Sequence, residues 1–445
     1  MCACTPAASA QRLEASLSLA GALYASGDIV TARRRFRTVA SAARRLGAAD
    51  VQARAAVGFS EVQAYGEIDD EAIALLQDAL DGLPPDDSVL RARALALLGQ
   101  RLDPVTDIAR SEALLDEGVA MARRVGDPDA LVRVLSAAAL VDWRPERATA
   151  RASSIDEVLA RTVRSADPAA VFWARTLRLR DALEAGDAAT AAEELGRLER
   201  LAAESRRSYY RWCLLVLQAA VALFAGRLDE GERLAEEAIA LNRRHGDDAE
   251  QEHTVQRLAL ALERRDPPSV PIAALRDYGM RYPRLPVWQA MLARAEHALG
   301  HAEQARAAVG ALARDGFAEL LRSPDRLCGL VLLAEPVAVH GEAATVGQLA
   351  AALAPHREAN AIMDAAWAAF GPVERAEWIL AAAAGRPDEA AARFAAAAER
   401  AARWGAPAWE LAALADWAAS GAPGAPRDRL AALARELRVS QTTTP

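Results

Sequence analysis

Residues 212–241 read WCLLVLQAAVALFAGRLDEGERLAEEAIAL, and this stretch decides the fold class. From Trp212 to Leu223 the apolar residues recur at alternating spacings of three and one, which is one face of a helix with a period of 3.6 residues. Gly226 interrupts the pattern, and a second apolar face begins at Leu228. Two amphipathic helices joined by a short glycine turn predict an antiparallel helical hairpin.

The same unit recurs along the chain. Similar glycine turns begin at Gly27, Gly186, Gly226, Gly300, Gly341 and Gly385. From the second of these onward the separations are 40, 74, 41 and 44 residues, so most are close to one repeat and one is close to two. Because one helix pair cannot bury both of its apolar faces, such pairs stack on their neighbours. We therefore expect an all-α solenoid, a superhelix of about ten antiparallel helix pairs, and no strands, since no strand-length alternating run occurs.

Composition excludes several other classes of protein. The chain has 445 residues, of which 52% are apolar and 5% aromatic; the net charge is −8, and all basic residues are Arg. This apolar content excludes a disordered chain, and 4 Cys with 21 Pro exclude disulfide-rich and collagen-like chains. No apolar run reaches the roughly 20 residues of a membrane span, and no secretory leader pattern opens the chain. We expect a cytoplasmic protein without membrane contact.

Proline and glycine clusters suggest the domain organisation. We expect a flexible tail over residues 1–10, helical repeats over 11–265 and 266–420, and a terminal helix with a disordered tail over 421–445. The middle boundary depends on the proline-rich stretch 264–271, and the last depends on the alternating Gly and Pro residues of 421–426.

Three segments carry a resemblance to a known family. Residues 210–212 (YRW) followed by 223–238 (LFAGRLDEGERLAEEA) are similar to the tetratricopeptide-like C-terminal arm of large bacterial ATP-binding regulators. These include the maltose-activator-like LuxR regulators and the ATPases linked to cyclase domains. Residues 282–288 (YPRLPVW) and 314–317 (RDGF) fit the same arm. The resemblance covers about residues 20–420 and implies a tetratricopeptide-like superhelix that senses a ligand or docks a partner.

The chain also departs from that family. A P-loop of the G-x-x-x-x-G-K-[ST] type requires Lys, which is absent, and no helix-turn-helix signature follows the repeats. The ATPase and DNA-binding roles therefore do not carry over. We expect a non-enzymatic scaffold or sensor without a cofactor, which holds a small molecule, peptide or partner protein in a concave groove in a regulatory setting. An ATPase or regulator acting in trans is one candidate partner.

Direct nucleic-acid binding is disfavoured despite one basic patch. The patch consists of Arg33, Arg34, Arg35, Arg37, Arg44 and Arg45. Ser41 breaks the basic stripe, and the net charge is negative, whereas phosphate-driven binders are basic. We interpret the patch as a solvated helix face.

A metal site is not expected either. His297 and His301 have the i, i+4 spacing of a helical zinc pair. Gly300 stands between them at a predicted turn, so their rings need not share a helix face.

Aromatic clusters are candidates for the groove. Tyr209, Tyr210 and Trp212 lie together at one predicted helix start, and Tyr282 and Trp288 lie together at another. Tyr and Trp are enriched at binding hot spots, so these side chains could contact a ligand or partner. Alternatively, they fill the core between repeats.

No catalytic motif is present, but one polar cluster is unusual. On a helix, Asn360, Asp364 and Trp367 would share one face, at i, i+4 and i+7. We include all three among the candidate groove residues, and His356 and Asp364 are candidate acid–base residues. The alternative function is an enzyme or accessory protein of a specialised-metabolite pathway that uses the groove as a substrate pocket. An exposed polar face without function would explain the same pattern.

Overall fold

The structure is a computed structural model that describes residues 6–26, 28–61, 68–103, 105–141, 147–162, 168–205, 208–242, 247–419 and 424–437. Over these ranges the chain forms 23 α-helices and one two-stranded antiparallel sheet. The helices are α1 (Pro6–Ser26), α2 (Ile29–Arg45), α3 (Ala49–Phe59), α4 (Asp70–Gly82), α5 (Val89–Arg101), α6 (Ile108–Val125), α7 (Pro128–Ala139), α8 (Ala148–Thr162), α9 (Pro168–Ala185), α10 (Ala188–Glu204), α11 (Ser208–Phe224), α12 (Leu228–Asn242), α13 (Asp247–Arg264), α14 (Ile272–Arg281), α15 (Pro286–Ala298), α16 (Ala302–Ala313), α17 (Ala318–Arg322), α18 (Arg326–His340), α19 (Ala343–Leu353), α20 (Val373–Ala383), α21 (Pro387–Arg403), α22 (Pro407–Ala419) and α23 (Arg427–Glu436). The strands are β1 (Asn360–Met363) and β2 (Ala368–Pro372).

Consecutive helices pack as antiparallel pairs, which confirms the predicted all-α repeat architecture. The deciding stretch forms α11 and α12, and Gly226 between them has φ +73°, a left-handed conformation that favours glycine. No helix in the ranges given above is long and apolar enough to cross a bilayer. The turn at Gly27 lies outside the described residues.

The described residues belong to two compact units. The first lies within Met1–Asp142 and Ser153–Ala174, and the second within Trp143–Ala152 and Arg175–Pro445. The boundary predicted near residue 265 falls inside the second unit. The predicted tails, 1–10 and 421–445, lie partly outside the described residues; where they are described, α1 already begins at Pro6 and α23 follows Pro426.

In the first unit, ion pairs join the second helices of successive pairs. Three arginines of the predicted basic patch lie on α2. They contact three carboxylates, one directly before α4 and two within it. The contacts are Arg33–Asp69, Arg37–Glu71 (3.3 Å) and Arg44–Asp78. These three guanidinium groups therefore neutralise acids of the neighbouring repeat. The two more exposed pairs, those of Arg37 and Arg44, contribute about 0–1 kcal/mol each.

The second unit closes on itself. The loop between α21 and α22 packs against the α9–α10 turn, where Gly186 lies against the Trp404 ring. Next to it, the Phe224 and Trp409 rings pack with centroids 4.4 Å apart, so α22 contacts the end of α11. The last helix pairs of this unit thus contact its first ones.

The prediction of a helix through residues 356–367 is wrong, and so is the prediction that the chain has no strands. Residues 360–372 form a β-hairpin in which Asn360 pairs with Pro372 and Met363 with Ala368. At its tip Asp364 and Ala366 have φ of 45° and 68°, left-handed values that end any right-handed helix. Alanine has the highest helix propensity of all residues, but intrinsic propensity is a weak preference that tertiary packing can override.

Candidate functional site

The β-hairpin lies inside the second unit and is bonded to several helices at once. The Asn360 amide donates to the Leu183 carbonyl of α9 over 2.7 Å. The Gln256 amide of α13 donates to the carbonyls of Trp367 and Val216, both at 3.0 Å. The strands also pack against α11, α13, α18 and α20. The hairpin therefore covers part of the surface of α11, α13, α18 and α20.

Two charged side chains hold the hairpin tip. Asp325 accepts a hydrogen bond from the backbone N–H of Asp364 at 2.9 Å, and the Arg180 guanidinium donates to the Asp364 carbonyl at 2.8 Å. Arg180 is 2% exposed and pairs with Glu184 at 2.8 Å. The strained turn is thus fixed by buried, charge-assisted hydrogen bonds.

The two candidate acid–base residues lie at opposite ends of the hairpin. His356 ends a short 3-10 turn ahead of β1, whereas Asp364 follows β1 at the tip. The four residues of β1 alone span about 13 Å at 3.3 Å per residue. The acid–base roles of His356 and Asp364 stay predictions.

Most of the predicted groove residues are core residues. Tyr210, Trp212, Tyr282 and Trp288 are all buried, and Trp288 is fully so. Asn360 and Trp367 are buried in the hairpin. Tyr209 is 45% exposed and packs on Trp212 with ring centroids 5.5 Å apart. These aromatic clusters pack between helices, which is the alternative that the sequence left open.

His297 and His301 bond to different partners. The His301 ring contacts the Glu296 carboxylate at 2.7 Å, and the His297 ring contacts that of His340 at 3.2 Å. In the described part of the chain, no three His, Cys, Asp or Glu side chains are placed to hold a metal ion.

One charged cluster on the inner side of the second unit was not predicted from the sequence. Its five members come from five different helices, each the first helix of its pair. Four members lie within a helix, and Arg265 directly follows one; the helices are α13, α15, α18, α20 and α22. The contacts run Arg294–Glu335 (2.6 Å), Glu335–Arg375 (3.1 Å), Arg375–Asp416 (3.3 Å) and Asp416–Arg265 (3.6 Å). The charges alternate in sign, and an arginine stands at each end. We call this set the ion-pair chain.

The ion-pair chain is desolvated but not sealed. Burial raises the pKa of Asp416 even though Arg375 opposes this, and burial lowers the pKa of Arg294. Burial also acts on Glu335, but Arg294 and Arg375 outweigh it and hold its pKa at about 2. The side chains from Arg294 to Asp416 still keep 13–24% of their surface accessible. We call the accessible surface around these four side chains the recess.

Two further titratable groups, His297 and Glu263, interact with the ion-pair chain. Burial, followed by repulsion from Arg294, lowers the pKa of His297 to about 4, so its ring is neutral at pH 7. Burial raises the pKa of Glu263, whose carboxylate is hydrogen-bonded by the Trp409 side chain. The hairpin ends nearby, since a Cβ on Gly371 would lie 3.8 Å from the Trp409 indole nitrogen. The hairpin and the recess therefore share the interior of the second unit.

A sequence signal for the recess exists in α18. Glu335 interrupts an otherwise apolar helix and is followed by Pro336, which removes a backbone donor in mid-helix. A lone charge in an apolar stretch needs a partner, because an unpaired buried charge is strongly destabilising. Its partners, however, come from helices 41 and 40 residues away, Arg294 and Arg375, and no local pattern links them.

Comparisons with known proteins leave the family open. No protein-family model and no curated protein matches the chain. Among solved structures, yeast Tom70 is 9% identical over 97% of this chain and 99% of its own, with a TM-score of 0.37. A circular tandem repeat protein with a novel repeat topology is 16% identical over 96% of this chain and 87% of its own, with a TM-score of 0.14. Both TM-scores are below 0.5, so neither likeness bears on function.

Proposed function

We propose that the chain is a non-enzymatic binding scaffold or sensor whose second unit holds a small molecule in the recess. The ion-pair chain is the observation that carries this proposal. Helix positions that face the interior are normally apolar, and paired buried charges are often no more stabilising than apolar packing. The paired charges on five helices are therefore better explained by ligand binding than by packing of the core.

The hairpin favours a small ligand over an extended peptide. A peptide bound along a solenoid needs a continuous inner surface. Here β1 and β2 cover α11, α13 and α18. What remains accessible near the inner side includes the recess, whose charged side chains can orient a polar ligand. In this proposal a regulatory partner, such as an ATPase in trans, would respond to the ligand-bound state.

Capture of metabolites by purified variants tests the proposal. The full-length chain, Arg375→Gln and the control Arg276→Gln are incubated with a cell extract, and retained small molecules are identified by mass spectrometry. Arg276 lies on α14 and pairs with Glu296 of α15 at 2.8 Å. It is not part of the ion-pair chain. We expect the wild type and Arg276→Gln to retain the same compounds and Arg375→Gln to lose them.

A folding defect is separated from a binding defect by a second variant. Asp416→Asn keeps the side-chain shape and removes one charge of the ion-pair chain, and circular dichroism checks the fold of every variant. Retention by both recess variants at the wild-type level, or no retention by the wild type, would refute the proposed function.

A further inference from the structure

We propose that α21, α22 and α23 form a lid on the second unit, which opens where this segment meets the first helix pairs of the unit. We call that contact the seam. In it, residues 404–416 lie against the C-terminal ends of α9, α11 and α13. The proposal concerns access to the interior of the unit and does not depend on which ligand the recess binds.

The three helices of the lid share a hydrophobic cluster of their own. Its buried members are Ala397, Ala398, Leu411, Ala413, Leu414, Leu433 and Ala434, and every lid helix contributes to it. A separate, smaller cluster joins α21 to α20 through the Trp378 and Phe394 rings, whose centroids are 4.2 Å apart. A segment that keeps its own core can move as one body without unfolding.

The seam is made by a few side chains, whereas α22 packs along its length against α21 and α23. The Phe224 and Trp409 rings meet there, and the Trp409 side chain also hydrogen-bonds the Glu263 carboxylate. The contact between Arg265 and Asp416 crosses the seam as well. At 3.6 Å it is the longest contact of the ion-pair chain. These contacts can separate while the helices on both sides stay folded.

Two buried donors under the lid lack a hydrogen-bond partner among the described residues. They are Arg375 Nε and Trp378 Nε1, both on α20. Both side chains contact the lid, Arg375 through Asp416 at 3.3 Å and Trp378 through the Phe394 ring. A buried donor without a partner carries a desolvation cost, which water removes once it reaches the donor. Opening of the lid therefore offsets part of the packing that it loses.

The lid stays attached at α21. Arg393 pairs with Glu377 at 2.9 Å and Arg400 pairs with Glu374 at 3.1 Å, so two ion pairs join α21 to α20. A tilt about α21 moves α22 away from the end of α13 and separates the two members of the ion-pair chain that meet at the seam. Opening thus uncovers one end of the recess, where a small molecule can enter.

Thiol labelling of the folded, full-length chain tests the lid. Ala408→Cys places a thiol in the seam, where a Cβ on Gly226 would lie 3.2 Å from the Ala408 Cβ. The matched control is Ala413→Cys on the same helix, since Ala413 is 2% exposed and belongs to the cluster inside the lid. The native thiols of Cys213 and Cys328 are buried and report wider unfolding of the unit.

A maleimide reagent is added, and mass spectrometry follows each labelled thiol over time. We expect the thiol at position 408 to react at least about tenfold faster than the thiol at position 413 and than both native thiols, because only the seam opens. Fraying of α22 would instead expose positions 408 and 413 together.

Two tryptophan substitutions in the Ala408→Cys protein test what holds the seam. Trp409→Phe keeps an aromatic ring against Phe224 but removes the hydrogen bond to Glu263, so labelling at position 408 should become about fivefold faster. Trp378→Phe makes the same chemical change at a donor that has no recorded partner, and it should not speed labelling. Circular dichroism checks the fold of every variant.

Equal labelling rates at positions 408 and 413 would overturn the lid, and so would labelling at position 408 as slow as that of Cys328. If Trp409→Phe does not fold, the comparison of these two positions decides alone. The labelling result is independent of metabolite capture, so failure of the lid and failure of the proposed function are distinguishable.

Discussion

Replacing Gln256 by leucine tests whether the β-hairpin is part of the core of the second unit. Gln256 is 2% exposed, and its amide donates to Val216 of α11 and to Trp367 at the hairpin turn. Leucine is close to glutamine in size, so Gln256→Leu removes both hydrogen bonds while largely preserving packing.

The expected loss follows from what each carbonyl keeps. The Val216 carbonyl lies inside α11 and retains its helical hydrogen bond, so the lost second bond has a small effect there. The Trp367 carbonyl lies in the turn and loses a buried donor, which costs about 1–3 kcal/mol. We expect Gln256→Leu to lower the free energy of unfolding by about 2 kcal/mol.

Urea unfolding followed by tryptophan fluorescence measures this loss. Every tryptophan among the described residues except Trp173 belongs to the second unit, so the signal reports mainly on that unit. The control is Gln218→Leu, which makes the same change at an exposed hydrogen bond to Glu199 (2.9 Å) and should shift stability by less than about 0.5 kcal/mol. If Gln256→Leu is no less stable than this control, the hairpin is not anchored as described.

Three further predictions concern other parts of the molecule. Gly186→Ala should lower the Tm more than Gly300→Ala. Both sites have φ +74°, but only at Gly186 would a Cβ collide with another side chain, that of Trp404. Equal Tm values for the two variants would contradict this prediction. The wild type should lose stability as the pH falls from 6.5 towards 4, because unfolded His297 binds a proton near pH 6.5 and folded His297 only near pH 4. In His297→Gln the urea midpoint should change less between pH 6.5 and 5 than in the wild type. An equal change in both proteins would show that another group is responsible. Arg44→Ala should cost less than about 1 kcal/mol in urea unfolding, since its ion pair is exposed, and a larger loss would mean that this pair is not an ordinary surface contact.

Local periodicity was enough to predict the helix pairs. The apolar face from Trp212 to Leu223, the turn at Gly226 and the restart at Leu228 correspond directly to α11, its turn and α12. A helix pair is a local structure whose apolar spacing and turn residue lie within about 40 residues, so one sequence window contains the whole signal.

The hairpin and the recess could not be predicted in this way. Residues 360–372 are rich in alanine, and their strand conformation depends on bonds to Leu183, Gln256 and Asp325, which are distant in sequence. The recess likewise joins charges from five helices, each of which looks like an isolated charge in its own window. Both features follow from how the repeats stack, which no single window encodes.

The contact between the last and first helix pairs of the second unit fixes how many repeats it can hold. An open tandem array can gain or lose a repeat by duplication or deletion, because each repeat touches only its neighbours. Here Trp404 must reach Gly186, and Trp409 must reach Phe224, so an extra pair would separate both contacts. Open arrays also need capping repeats with a polar outer face at their ends. In this unit the end repeats contact each other. Evolution of this unit is therefore restricted to substitutions and loop changes, with its repeat number held constant.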